Sequence, residues 1–106
     1  MLTIKVDASA AGDTTVIAGV ANKKIRVLAY AITSAAQNYI KWKSDSTEIS
    51  GQMHMAAGNN IVIHMGDRWA SGGLPALECA IGESLVITLD KAQVVGGHIT
   101  YYYVGA

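Results

Sequence analysis

The segment KKIRVLAYAITS, residues 23–34, decides the fold, because it is the longest run of strand-forming residues before the C-terminal segment. Successive side chains of an extended strand point to opposite faces of its sheet. One face of this segment carries Ile25, Val27, Ala29, Ala31 and Thr33, and the other carries Arg26, Leu28, Tyr30 and Ile32. Because both faces are mostly apolar, we expect a central strand covered on both sides, by a partner sheet and by a second subunit.

Outward from this segment the chain consists of short strand-like runs separated by turns. The predicted strands are residues 2–7, 14–18, 23–34, 37–44, 53–57, 61–65, 76–80, 84–90 and 93–104, with a short segment at 47–50. Helix signals are nearly absent, since apolar residues do not recur at intervals of three and four. About eight short strands without helices predict a single all-β domain, residues 1–106, folded as a β-sandwich or barrel.

Two details of these strands are specific enough to test. In residues 37–44, Ile40 and Trp42 alternate with lysines, so we expect Trp42 in the core. Within the last strand, Gly96 and Gly97 predict a bulge or kink.

The composition points to an oligomer. The chain is 51% hydrophobic and only 15% charged, compared with about 25% charged residues in a typical soluble domain. It has no run of about 18 apolar residues that would span a membrane, so we expect the surplus apolar surface in contacts between subunits. Zero net charge and scattered basic residues argue against nucleic-acid binding. The N-terminus lacks a signal-peptide pattern, so we expect synthesis and retention in the cytoplasm.

No residue set has the spacing of a catalytic or metal site. His54, His64 and His98 lie on three different predicted strands and would bind a metal only if they converged. The candidate carboxylates and nucleophiles belong to no catalytic motif; they are Asp67, Glu78, Glu83, Asp90, Ser71, Ser84 and Cys79. The lone cysteine, Cys79, is predicted to be a small buried hydrophobe. The sequence therefore predicts neither an enzyme nor a cofactor.

Aromatic residues supply the candidate contact sites. Tyr101, Tyr102 and Tyr103 project to both faces of one strand and suit a subunit interface better than a carbohydrate platform. We place the oligomer contact on these tyrosines together with Arg26, Leu28 and Tyr30 of the central strand. Trp69 lies in the loop of residues 66–75, beside Asp67 and Arg68, and this trio is the candidate contact with a partner.

Six short motifs stand out along the chain: KKIRVL (23–28), KWKS (41–44), the apolar Gly-turn hairpin (57–63), the loop containing Trp69, GESL (82–85) and VGGH (95–98). Through these motifs most of residues 14–104 resembles a family of small jelly-roll proteins encoded by tailed bacteriophages.

The resemblance implies a jelly roll of the trimer-forming type and a function as a head decoration (cement) or head-fibre protein. Such a protein would bind the phage major capsid protein on the outside of the shell, as a homotrimer, and would carry no catalytic residue. The location implied is the virion. Two alternative functions are a tail-fibre or adhesin-like domain that binds glycan through Trp69 and the tyrosines, and a small jelly-roll enzyme that uses the histidines with a metal.

Overall fold

A computed structural model describes residues 2–56, 60–64 and 77–105, with the backbone alone for 60–64. This part of the chain is all-β. The strands are β1 (Leu2–Ala8), β2 (Gly12–Ile17), β3 (Lys23–Ser34), β4 (Asn38–Ser44), β5 (Thr47–Glu48), β6 (Met53–Met55), β7 (Asn60–His64), β8 (Leu77–Glu78), β9 (Leu85–Leu89) and β10 (Val95–Gly105). None of the described residues belongs to a helix that could cross a bilayer.

The strands form two antiparallel sheets, each four positions wide. The first sheet has the order β1-β10-β3, and β7 and β8 share the position beyond β3. The second sheet has the order β2-β9-β4, and β5 and β6 share the position beyond β4. The predicted all-β architecture is confirmed, and the central segment forms a strand with the predicted bounds, Lys23–Ser34.

Side chains from both sheets meet in one hydrophobic core, as in a β-sandwich. Trp42 of the second sheet is fully buried, and its ring lies edge-on against Tyr30 of the first sheet, with 5.2 Å between centroids. The prediction that Trp42 belongs to the core is confirmed, as is the burial of Cys79.

A β-bulge in β3 corrects the expectation that this strand is apolar on both faces. On β10, the consecutive residues Thr100 and Tyr101 pair with Ala29 and Val27, so Leu28 is an extra residue on β3. The extra residue reverses the alternation: Ile25 and Val27 are buried before it, and Tyr30, Ile32 and Ser34 after it. The large apolar residues Ile25, Val27, Tyr30 and Ile32 therefore share one inner face, and the outer face carries only the small apolar residues Ala29 and Ala31.

The glycines of β10 do not form the predicted bulge. Gly96 and Gly97 continue the regular pairing with Thr33 and Ile32, and the irregularity lies further along, between Thr100 and Tyr101. Gly97 is needed for a different reason: a β-carbon at this position would lie 1.9 Å from the Ala31 carbonyl oxygen. The close approach of β10 to the central strand requires a residue without a side chain there.

Candidate functional site

Among the side chains that the structure describes, small residues lie at the centre of the outer face of the first sheet. Ala29 and Ala31 of β3 lie beside Thr100 and His98 of β10, and Lys5 of β1 lies next to His98. Both alanines are only half-buried, and His98 and Lys5 are exposed. We call this area, centred on Ala29, Ala31 and Thr100, the small-residue face. Because its side chains are short, another surface could approach its backbone closely.

A charged cluster borders the small-residue face at the end beyond the bulge. Glu78 of β8 accepts a hydrogen bond from Arg26 Nε at 2.5 Å, and Lys24 Nζ lies 3.7 Å from the same carboxylate. Tyr102 pairs with Arg26 across β10 and β3. The pKa of Arg26 is raised, first by its hydrogen bond with the Tyr102 hydroxyl and then by Glu78. Arg26 and Tyr102 therefore lie side by side on the outer surface, and Arg26 is held by its ion pair with Glu78.

The other residues predicted for the oligomer contact lie elsewhere. Tyr30 and Tyr101 belong to the core and are only 5% and 8% exposed, which leaves little surface for a second chain. Tyr103 packs against the same core, and its hydroxyl donates to the Ala18 carbonyl oxygen at 3.0 Å. The physical reason is alternation: in β10 the odd-numbered tyrosines face the opposite sheet, and only Tyr102 faces outward. Leu28, the bulge residue, is buried outside the core cluster.

Charged side chains cover one end of the outer face of the second sheet. Asp13 of β2 accepts hydrogen bonds from Thr88 of β9 and Lys43 of β4, and these two contacts lower its pKa, Thr88 contributing most. Lys41 of β4 pairs with Glu48 of β5. This face is therefore polar where the small-residue face is not.

A groove of about 150 Å³ adjoins these charged side chains on the second sheet and shares Lys41 and Thr88 with them. Its outward-facing lining consists of Tyr39, Lys41, Gln52, Thr88 and Asp90, with the buried Ile40 and Leu89 beneath. A second and wider groove, of about 350 Å³, lies between β1 and β2 and is lined by Ile4, Lys5, Asp7, Ala8, Thr14, Thr15 and Val16. The first groove combines an aromatic ring with several polar groups.

The candidate catalytic and metal-binding residues do not converge. His54 lies on the second sheet and His98 on the first, both exposed, and no group of three possible metal ligands occurs among residues 2–56 and 77–105. Burial raises the pKa of the Cys79 thiol to about 11, which makes it a poor nucleophile at neutral pH. The side chain of His64, and Asp67 and Ser71, lie outside the described residues.

Of the remaining candidates, Glu78, Glu83 and Ser84 are engaged in hydrogen bonds or ion pairs, whereas the exposed Asp90 carboxylate forms none with another described side chain. Glu83 accepts a hydrogen bond from the Ser44 hydroxyl at 2.5 Å, and Ser84 Oγ accepts one from the Gly19 N–H at 2.9 Å. Both contacts hold the turn before β9 in place. Glu78 is committed to the ion pairs with Arg26 and Lys24.

The proposed partner contact at Asp67, Arg68 and Trp69 also lies outside the described residues. Comparison of the chain with protein-family models, with curated proteins and with solved structures found no match.

Sequence reasoning missed the groove on the second sheet. The outward orientation of Tyr39 follows from the alternation in β4, but its neighbours come from β6, β9 and the turn after β9. Only the pairing of these strands brings His54, Gln52 and Asp90 to the same ring.

Proposed function

We propose that this chain is a structural protein of a tailed bacteriophage, a head decoration (cement) protein that binds the outside of the capsid as a homotrimer. The proposal combines the sequence resemblance with the strand pairing and with the contrast between the two outer faces. Among these, the strand pairing is the observation on which the proposal mainly rests.

The strand pairing supports a jelly roll. In a jelly roll the two halves of the chain pair with each other from the ends inward, and the paired ribbon then wraps into two sheets. Here β1 pairs with β10, β2 with β9, β3 with β7 and β8, and β4 with β5 and β6. Successive pairs alternate between the first and the second sheet. This nested order supports the jelly roll that the resemblance implies.

The small-residue face is the best candidate for the contact between subunits. A sheet can pack face to face with another surface about 10 Å away only where its outward side chains are short or interdigitate. Ala29, Ala31 and Thr100 meet this requirement, whereas the second sheet presents Asp13, Lys41, Lys43 and Glu48. We therefore retain Arg26 and Tyr102 as residues at the edge of the proposed contact and move its centre to Ala31.

Trimer formation would explain how a small chain without net charge binds a capsid tightly. A single copy of this size offers a small contact, and zero net charge provides little long-range steering. Three linked copies raise the effective concentration at the second and third contacts, and avidity can exceed single-site affinity by roughly 10²–10⁴. The proposed partner is the major capsid protein, contacted through loops at one end of the sandwich that include Asp67, Arg68 and Trp69.

The test is a charge placed at the centre of the small-residue face. Ala31→Arg should convert the trimer into monomers, because three buried guanidinium groups would face one another without partners. Thr15→Arg is the matched control, because Thr15 is exposed on the outer face of the second sheet. Sedimentation would report the mass, and co-sedimentation with capsid shells the binding.

We expect Thr15→Arg to remain trimeric and bound, and Ala31→Arg to be folded, monomeric and released from shells. A wild-type protein that stays monomeric, or a monomeric variant that binds shells with full affinity, would contradict the proposal.

A further inference from the structure

The groove on the second sheet has an aromatic wall that is fixed in place. Tyr39 pairs directly with His54 across β4 and β6, and the two rings lie 4.7 Å apart with 36° between their planes. Gln37 Nε2 lies 3.2 Å from His54 Nε2 and holds the imidazole from the other side. The Tyr39 ring is therefore backed by a stacked partner, and only its remaining surface can receive a ligand.

The turn that carries Asp90 is also anchored to β4. The Asp90 N–H donates to the Tyr39 carbonyl oxygen at 3.0 Å. The fully buried Asn38 accepts a hydrogen bond from the Lys91 N–H at 2.9 Å and donates one to the Lys91 carbonyl oxygen at 3.1 Å. These bonds fix the Asp90 backbone beside the Tyr39 ring. The groove is preformed, so a ligand would not have to order it.

The polar groups around the ring have free hydrogen-bonding capacity. Within the described part of the chain, the Asp90 carboxylate and the Gln52 amide form no side-chain hydrogen bond, and both are exposed. The Thr88 hydroxyl donates a hydrogen bond to Asp13, which leaves the hydroxyl oxygen able to accept another one. The groove thus offers a carboxylate, an amide and a hydroxyl oxygen around one aromatic ring.

We propose that this groove is a carbohydrate-binding site that takes one pyranose ring of an uncharged glycan. The face of a pyranose carries C–H groups that pack on the negative face of an aromatic ring, and its hydroxyls need both donors and acceptors at the rim. At about 150 Å³ the groove is smaller than the roughly 300–1,000 Å³ of sites for drug-sized ligands, which suits a single ring.

The charges in the groove argue against an anion as the ligand. Asp90 would repel a phosphate or a carboxylate, and Lys41 is already paired with Glu48. The site lies on the face opposite the small-residue face, so it would stay accessible in the proposed trimer. The inference does not depend on the capsid proposal, since it rests on the groove alone.

The site can be tested by following backbone amide resonances during titration with methyl glycosides of glucose, galactose, mannose and N-acetylglucosamine. A single ring in a shallow groove should bind with a Kd on the order of 1 mM. We expect at least one glycoside to shift the amides of residues 39, 52, 54 and 90. The bound ring could come from inside a glycan polymer or from its end, and titration with the corresponding trisaccharides distinguishes the two. Tighter binding of the trisaccharide indicates an internal unit of a polymer, and equal affinity indicates a terminal sugar.

Variants identify the groups that bind. Tyr39→Ala should weaken binding at least about tenfold, whereas Tyr39→Phe should retain most of it, because stacking needs the ring and not the hydroxyl. Asp90→Ala and Gln52→Ala change exposed side chains and should weaken binding without unfolding the chain. Ile81→Ala, which truncates an exposed side chain in the turn before β9, outside the groove, is the control and should bind normally.

Two results would overturn the proposal. One is the absence of shifts at the groove for all four glycosides at concentrations well above the expected Kd. The other is binding that Tyr39→Ala and Asp90→Ala leave unchanged. Neither result bears on the capsid proposal, whose test is the mass and shell binding of Ala31→Arg.

Discussion

Replacing Gly97 with alanine should destabilise the protein far more than the same change at its neighbour, Gly96. At position 97 the added β-carbon would lie 1.9 Å from the Ala31 carbonyl oxygen and 2.9 Å from two further backbone atoms of β3. At position 96 the nearest atom, the Val6 carbonyl oxygen, lies 3.7 Å away, an ordinary contact. The two variants add the same methyl group to adjacent residues.

The size of the expected stability loss follows from the displacement of β10 that the added β-carbon would require. Carbon and carbonyl oxygen approach to about 3.3 Å at closest, so β10 would have to shift by more than 1 Å from the central strand. Such a shift breaks one or two ladder hydrogen bonds, worth about 0.5–1.5 kcal/mol each. Gly97 also has φ of 150°, where an alanine costs about 1–3 kcal/mol in strain. We expect a loss of about 3–5 kcal/mol, a large part of the roughly 5–15 kcal/mol that stabilises a domain.

Urea unfolding monitored by tryptophan fluorescence measures both variants. Gly96→Ala should lie within about 1 kcal/mol of the wild type, because it also reduces the entropy of the unfolded chain. The reasoning would be refuted by equal losses in the two variants, since the pairing of Gly97 with Ile32 would then have to be wrong.

Three further predictions concern the core, the Lys91 turn and the thiol. Trp42→Ala should cost about 3–5 kcal/mol. Trp42→Phe should cost much less. Trp42 Nε1 is a buried nitrogen that has no hydrogen bond within the described residues, so removing this nitrogen recovers a desolvation penalty. Equal losses of thermal stability in the two variants would contradict this prediction. Asn38→Ala should cost about 2–4 kcal/mol in urea unfolding, since it leaves both polar groups of Lys91 without their partner. A neutral Asn38→Ala would contradict the anchoring of the turn. The Cys79 thiol should resist iodoacetamide at pH 9 until urea is added. Its contribution to stability should be complete below pH 9 and should fall toward pH 11, because the thiol of the unfolded chain ionises first. Rapid alkylation of the folded protein, or a Cys79→Ala variant with the same loss of stability at alkaline pH, would contradict this prediction.

The sequence predicted the strands well because alternation is a local signal. The bounds of β3 and the inward orientation of Ile40 and Trp42 follow from the residues of one segment alone. The bulge at Leu28 could not be predicted in this way, since it depends on how β10 pairs with β3. Strict alternation without the bulge places Tyr30 on the same face as Arg26, whereas in the structure Tyr30 lies in the core.

The candidate surfaces were harder to predict, because each is assembled from distant parts of the chain. The successive tyrosines at 101–103 indicated aromatic contact area but not which ring faces outward, and only Tyr102 does. The groove at Tyr39 depends on His54 from β6 and on Asp90 from the turn after β9. Pairing across strands, which a periodic pattern does not encode, determines both sites.

The most direct test of the capsid proposal is a reconstruction of virus particles that contain this chain. We predict threefold-symmetric density on the outside of the shell, into which three copies of the sandwich fit with their small-residue faces turned toward one another. Density for the chain at the tail, or particles that lack it altogether, would contradict the proposal.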